Sequence, residues 1–440
     1  YMKQTKVIIS ILLIVLIVTG WGIKINSIIN DTNKYNKNIE NADYYLENKL
    51  YQKAIAEYQE ALNIKESIEV RNKYLDAYSM AYEDEVVTRS EYLKALDETC
   101  GIYPKYASYW EWIIEVCVNT NQYENAYSYY KKSVNKGVKS EKLTYLGDVV
   151  QYSYTLKNKV YTKKYRNSDG IYTLYNENKW GVMSASGDWK YECSYDFASP
   201  VSKNSEVILS TDKDTRELKG ADVVQNYVNE EINECKAPSE DIVLINKDGW
   251  RFYDCNKNEY ILSNYEDASV FMNNNAFVKK SGKWHLIDKK GNDTSDTQFD
   301  NVKLFDSGEY LYDDYFLASV NGTYGLYNKS GKKKTDIQGI DVDLYLGEEI
   351  AFKGDNGKWG FINSDNKVVI EPQYDDAKSF SNGLAAVKMN GKWGFINKEG
   401  RTVIDYQFVD ADYFTSEGLC FVSFVKDEYC QINLKFKRRK

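Results

Sequence analysis

Histidine is nearly absent from this chain: His285 stands alone among 440 residues. That excludes histidine-based zinc clusters and leaves a single candidate for any histidine-dependent triad. Cysteine offers no framework either. Cys100, Cys117, Cys193, Cys235, Cys255, Cys420 and Cys430 are odd in number, widely spaced and without a C-x-x-C pair. Neither a disulfide scaffold nor a zinc ribbon is indicated, and isolated buried thiols are the simpler reading. A basic excess is missing too. The 57 Lys and Arg face 65 Asp and Glu, for a net charge of -8, which argues against nucleic acid as the main partner because phosphate neutralisation needs a basic face. No phosphate loop, Gly-x-Gly-x-x-Gly or Gly-x-Ser-x-Gly occurs, so no cofactor or nucleophile elbow is expected.

Tyrosine is abundant: 40 Tyr accompany 9 Trp and 16 Phe, within an apolar content of 43%. That content is enough to fold and excludes wholesale disorder. The length suits two to three domains, more than one core serves.

An uncharged run, Val7 to Ile23, lies between Lys6 and Lys24. Its seventeen residues make roughly 25 Å of helix, the short end of a membrane span. The flanking lysines can snorkel and Trp21 suits the interface. A single-pass anchor over 7–23 is expected, after a short tail (1–6) and before a linker (24–35), with the bulk of the chain outside. A cleaved signal peptide is the alternative, although Val18-Thr19-Gly20 is a poor cleavage site. No Cys follows the run to support lipoprotein processing.

From 36 to 141 glycine is scarce and Tyr, Ala, Glu and Lys recur at helical spacing. Tyr51, Ala54, Tyr58, Ala61 and Leu62 form one stripe whose small residues let a second helix approach, and Ala42 and Tyr45 occupy the matching face upstream. The stripe returns 72 residues later as Tyr123, Ala126, Tyr130, Ser133 and Val134, preceded by Trp110, Ile113 and Cys117, with a degenerate copy between them ending near Pro104. This pattern resembles the tetratricopeptide (TPR) repeat, whose helix pairs recur at about 34 residues. The resemblance spans about three repeats and implies a concave groove for a peptide or protein. A helical stalk that only spaces the next domain is the plainer alternative.

After a connector (142–170) the texture changes to short alternating runs punctuated by Asn-Gly, Asp-Gly and Lys-Gly. Asn356-Gly357-Lys358-Trp359-Gly360-Phe361-Ile362-Asn363 recurs almost unchanged as Asn390-Gly391-Lys392-Trp393-Gly394-Phe395-Ile396-Asn397. Further anchors are Trp180-Gly181, Trp250, Trp284 and Tyr324-Gly325, with a decayed copy at Tyr429. The steps between anchors are 70, 34, 40, 35, 34 and 36. The first is two periods, so an eroded unit is expected near Thr215 to Leu218, beside a helical insertion from Ala221 to Glu234.

One unit reads as a strand (Leu384 to Lys388), an Asn390-Gly391 turn, a return strand (Lys392 to Ile396), a turn at 397–400 and a third strand (Arg401 to Ile404). One such meander cannot bury its aromatic face alone. Stacked units with Trp at each interface share a core.

These residues resemble the WG (KWG) repeat family of bacterial proteins over about 265 residues, with Ile370-Glu371-Pro372-Gln373-Tyr374 matching the family's downstream half. Tyr324 in place of Trp, and Arg251 and His285 in place of Gly, depart from it. The resemblance implies a repeat-built surface or interaction protein with no shared catalytic residue. Seven to eight units suit a β-propeller, favoured because closure removes sheet edges, or an open β-solenoid. The first unit begins with a strand (Ile171 to Tyr175) and the last stops after its second, so the ends can pair.

Other chemistry is thin. His285 occupies the slot after an anchor Trp. Asp341-Val342-Asp343 and Tyr312-Asp313-Asp314 lack the spacing of a calcium loop and read as solvated strand ends, and 437–440 closes a basic tail. The sequence therefore predicts an α+β multidomain protein: a membrane helix, TPR-like α-hairpins (36–141) and an all-β WG-repeat domain (171–436). Its expected role is a membrane-anchored, non-catalytic scaffold for a protein partner at a bacterial cell surface, without metal or cofactor. The alternative is a module binding cell-envelope polysaccharide through exposed aromatics.

Overall fold

A computed structural model describes residues 2–211, 217–219, 226–227, 232 and 234–436, with side chains described from Lys24 onward apart from 25, 219, 226 and 227. The chain divides into two compact units, Tyr1–Val150 and Gln151–Lys440.

The glycine-poor first unit is helical: α1 (Met2–Glu47), α2 (Tyr51–Ile64), α3 (Ile68–Glu83), α4 (Arg89–Ile102), α5 (Ala107–Asn119), α6 (Tyr123–Asn135) and α7 (Glu141–Gln151). Connections of a few residues impose antiparallel neighbours. Ser67 caps α3 by accepting from the Val70 amide, and Thr88 with Glu91 forms a capping box on α4. The expected stripe Tyr51, Ala54, Tyr58, Ala61 and Leu62 is buried. Trp110 is buried and donates its indole N–H to the carbonyl of Pro104, six residues upstream, at 3.1 Å. In α6, Ala126 and Ser133 are buried, Tyr123 and Tyr130 are half-buried and Val134 is exposed. The degenerate middle copy is itself a helix pair, with Tyr74, Ala77 and Ala81 of α3 and Tyr92, Ala95 and Leu96 of α4 buried.

Residues 24–35, read as a linker, continue α1 without a break, because nothing in that polar stretch is Pro or Gly. Among the described residues no helix is long and apolar enough to cross a membrane. The expected span at 7–23 lies outside the residues whose side chains are described. The tail at 437–440 is likewise outside.

The second unit is built from eight small antiparallel sheets. Blade 1 holds strands 163–166, 172–176, 179–183 and 189–195; blade 2 holds 197–198, 207–210, 217–219 and 226–227. Blade 3 has 242–246, 250–254 and 259–265; blade 4 has 267–268, 275–280 and 283–288. Blades 5, 6 and 7 run 301–337, 341–374 and 376–408, four strands each. Blade 8 takes 410–411, 419–425 and 428–434, and its fourth strand is Tyr154–Tyr161 from the start of the unit. Thr155 pairs with Asn433 and Lys157 with Gln431.

The ends therefore pair, as the open-ended units anticipated, but the closing strand lies upstream of the one at 171–175. The stretch 142–170, read as a connector, holds α7, that closing strand and the first strand of blade 1. The helix expected over 221–234 is not what the described residues there adopt: Asn226–Tyr227 is an edge strand of blade 2, pairing with Glu217 and Leu218.

Packing confirms a closed ring. Alternating strands bury one residue set against each neighbouring blade, and a separate apolar cluster fills every seam. Examples are Phe252 with Phe271 between blades 3 and 4, and Phe395 with Phe414 and Ile432 between blades 7 and 8. Tyr172 and Leu174 of blade 1 pack on Leu419 and Phe421 of blade 8, so the last blade meets the first. With the last blade packed on the first and completed by the strand from the start of the unit, the ring of blades is closed and only short blade edges remain, so the unit is an eight-bladed β-propeller and not an open solenoid.

Candidate functional site

The anchors are structural in position. Trp250, Trp284, Tyr324 and Trp393 are buried, and Trp180 and Trp359 are half-buried. The glycine after the anchor solves a packing problem. A Cβ at Gly360 would stand 2.6 Å from the Ile370 carbonyl oxygen, and one at Gly394 2.7 Å from that of Ile404. At Gly181 it would meet the Tyr191 oxygen and Cys193 nitrogen at 2.7 Å. The third strand can thus press against a bulge in the fourth only where no side chain intervenes. At Gly325 a Cβ would meet the Tyr327 ring at 2.9 Å. Where His285 replaces glycine, blade 4 has three strands, and its fourth is reduced to two isolated bridges, Trp284–Phe299 and Ile287–Asp293. The imidazole Nδ1 lies 3.1 Å from Asp293 Oδ2.

The lysine of the motif ties neighbouring blades. Lys358 Nζ reaches Asp375 at 2.6 Å, and the same carboxylate accepts from the Asn390 amide in the next blade's turn at 2.8 Å. Lys283, Asp300 and the Gly322 amide repeat the arrangement. The Asn321-Gly322 and Asn390-Gly391 turns have positive φ at both positions, as tight hairpins require. Such solvent-exposed pairs contribute little to stability.

The connections after the first strands gather at the axis. Phe305, Leu346 and Tyr413, from blades 5, 6 and 8, pack together there. The connection in blade 5, residues 303–314, is the longest described of these and crosses the ring. Asp306 accepts from the Arg166 amide (3.1 Å), and Glu309 accepts from the amides of Ser168 (2.9 Å) and Lys203 (2.5 Å), in blades 1 and 2. The Ser307 and Gly308 carbonyls accept from the Ala237 and Val270 amides. Blades 1 and 5 are opposite in an eight-membered ring, so this loop plugs the axis. Glu309 is 1% exposed, and burial pushes its carboxyl up although the two amides partly offset this.

Beside the plug lies a buried ionic cluster. Lys164 Nζ is 2.7 Å from Asp412 Oδ2, across the seam between blades 1 and 8. Burial alone would raise the Asp412 carboxyl, but Lys164, Lys378 and Arg166 more than offset it and hold it well below the usual range. Tyr413 donates to Asp343 at 2.8 Å, and burial pushes that carboxyl up.

Above these groups a cavity of about 600 Å³ opens on the same face, lined by Arg166, Asp169, Tyr312, Glu348, Asn382 and Lys398 among others. Arg166 is 5% exposed and stacks over the Tyr413 ring at 5.2 Å. Lys398 bridges Glu348 and Glu349 at 3.0 and 2.8 Å. Charged, hydroxyl and amide groups of both signs converge here, a lining suited to a polar segment such as a peptide. The serines on it have no histidine beside them, since His285 is not among the lining residues. Among the described residues no three His, Cys, Asp or Glu side chains are placed to hold a metal. Asp343 and Asp313, read as solvated strand ends, belong to this region: Asp343 is enclosed and Asp313 stands near Tyr312 and Asp169.

The helical unit has its own groove of about 680 Å³, between α3, α4 and α6, with Tyr82, Arg89, Lys94, Asp97 and Tyr129 on its walls.

The repeat pattern marked the frame and missed the axial groups Lys164, Arg166, Asp306, Glu309 and Asp412. One signal was available. The step of 40 from Trp284 to Tyr324 exceeds its neighbours, and the surplus residues are the plug.

The family model described as "WG containing repeat" matches residues 359–393 and 393–426, so the chain carries WG repeats running from blade 6 into blade 8. No curated protein matches this chain. Among solved structures it is similar to the Sgt2 TPR domain from Aspergillus fumigatus, at 19% identity over 26% of this chain and 76% of that one, with a TM-score of 0.20. It is also similar to the Neurospora crassa Pan2 WD40 domain, at 10% identity over 63% of this chain and 90% of that one, TM-score 0.31. A third is the Dos1 propeller, at 10% identity over 65% and 97%, TM-score 0.37.

Proposed function

We propose that this protein is a non-catalytic interaction scaffold whose plugged propeller face, with the helical groove as a second surface, binds a protein partner. The observation that carries the reading is the axial face itself: loops from several blades build one polar cavity over a rigid ring. WG repeats and helical hairpins favour the same class of role. The polysaccharide alternative needs exposed aromatics, and no described Trp or Tyr of the propeller unit is exposed. The finer proposal keeps the run at 7–23 as a single-pass anchor that holds both surfaces outside a bacterial membrane.

The full chain, immobilised, is to be challenged separately with envelope proteins and with purified cell-wall polysaccharide. Saturable protein capture that falls in an Asp169→Ala, Tyr312→Ala variant supports the proposal. Saturable polysaccharide binding without protein capture overturns it.

A further inference from the structure

The plug is held as a ligand would be. Its tip, Asp306-Ser307-Gly308-Glu309, forms no sheet with its own blade. Two carboxylates and two carbonyls instead accept from five main-chain N–H groups, those of Arg166, Ser168, Lys203, Ala237 and Val270, spread over blades 1 to 4. A collar of N–H donors of fixed geometry is an acceptor-binding device by itself. Its spacing selects carboxylates three residues apart around a small residue. Gly308 supplies the small residue, because a Cβ there would stand 2.9 Å from the Lys236 side chain. Two aromatic anchors flank the tip. Phe305 packs with Leu346 and Tyr413, and buried Tyr310 packs with Phe277 and Phe316 between blades 4 and 5.

We infer that the axis of the propeller is a receptor for an acidic protein segment of the form Asp-x-Gly-Glu flanked by aromatics, and that residues 303–314 occupy it as a built-in competitor. This rests on the protein-scaffold reading and names the partner's chemistry at the same face. A partner segment reaches the collar only when the loop withdraws, so its apparent affinity is reduced by the fraction of molecules in which the collar is free.

The test uses a synthetic peptide of residues 303–312 and the full chain, with binding read by fluorescence anisotropy of the labelled peptide. The same substitution has opposite effects in the two places. Glu309→Gln or Asp306→Asn in the chain weakens the competitor and tightens binding of the unaltered peptide by about tenfold or more. Glu309→Gln in the peptide weakens binding to that variant by a similar factor. No binding of the peptide by a folded Glu309→Gln chain overturns the inference, as does equal binding of the altered and unaltered peptides. Should the variants fail to fold, hydrogen exchange of the unaltered chain decides. Exchange of the Ser168, Lys203 and Val270 amides ahead of the blade strands supports a removable plug, and exchange only with global unfolding refutes it. Such failure leaves the partner-capture experiment untouched, because the outer cavity can bind without the collar.

Discussion

Replacing Lys164 by methionine isolates the ionic lock at the seam where the ring closes. The substitution keeps most of the side-chain volume and removes the one cation that, among the described residues, is hydrogen-bonded to the Asp412 carboxylate, at 2.7 Å. Asp412 is 3% exposed, so water cannot replace the lost partner. Removing the ion-pair partner of a buried carboxylate costs about 3–5 kcal/mol, although the Tyr413 amide and the Tyr172 hydroxyl still donate to Asp412. The lower end applies, since Arg166 and Lys378 also act on Asp412. Urea unfolding of the full chain, followed by tryptophan fluorescence, should show a loss of about 3 kcal/mol for Lys164→Met. Lys164→Arg, which keeps the charge, should lose far less.

The pair also has a pH signature. Asp412 is held below its unfolded value, so its contribution is present above about pH 4 and lost as pH falls through the depressed folded value. Lys164 is raised above its unfolded value because Asp412 outweighs burial, so its contribution is fully present below about pH 10 and is lost as pH rises from there through the higher folded value. A plateau in stability between those limits, attributable to the pair, should vanish in Lys164→Met. A loss under 1 kcal/mol, or an unchanged acid limb, refutes the reasoning.

Three other outcomes are expected. Gly394→Ala should cost about 1–3 kcal/mol, because the new Cβ meets backbone that cannot give, whereas Gly101→Ala in α4, with nothing within 4 Å, should gain about 0.5–1 kcal/mol; equilibrium unfolding of both checks the contrast. Burial and the neighbouring Asp241 push the Glu206 carboxyl up to about 7, so its contribution is present at low pH and lost as pH rises through 7. Stability profiles between pH 5 and 8 should differ in slope between the unaltered chain and Glu206→Gln. Trp110→Phe keeps the ring packing but loses the bond to Pro104, and should cost about 0.5–1.5 kcal/mol in the helical unit by circular dichroism.

What could be read in advance follows from what packs. Asn-Gly turns and anchor tryptophans repeat because each hairpin and each seam needs the same solution, so the period was visible in the chain. The closing strand was not. Tyr154–Tyr161 is an outer strand whose middle five residues are exposed, which leaves no alternation to recognise. The axial cluster escaped for a different reason. Lys164, Asp306 and Asp412 are far apart in sequence and meet only because the ring brings their loops to one axis. Expecting a helix at 221–234 relied on local composition where pairing with 217–218 decides the conformation of Asn226–Tyr227.

Closure is the claim on which the loop face, the plug and the lock all stand. Thr155 and Asn433 are paired across the closing sheet, 278 residues apart. Thr155→Cys with Asn433→Cys in the full chain, oxidised and mapped by mass spectrometry, tests it directly. A closed ring predicts a disulfide between the two positions and a gain in unfolding free energy of up to about 5 kcal/mol from so long a loop. Failure of the two thiols to join, while the unit stays folded, would contradict the closed propeller.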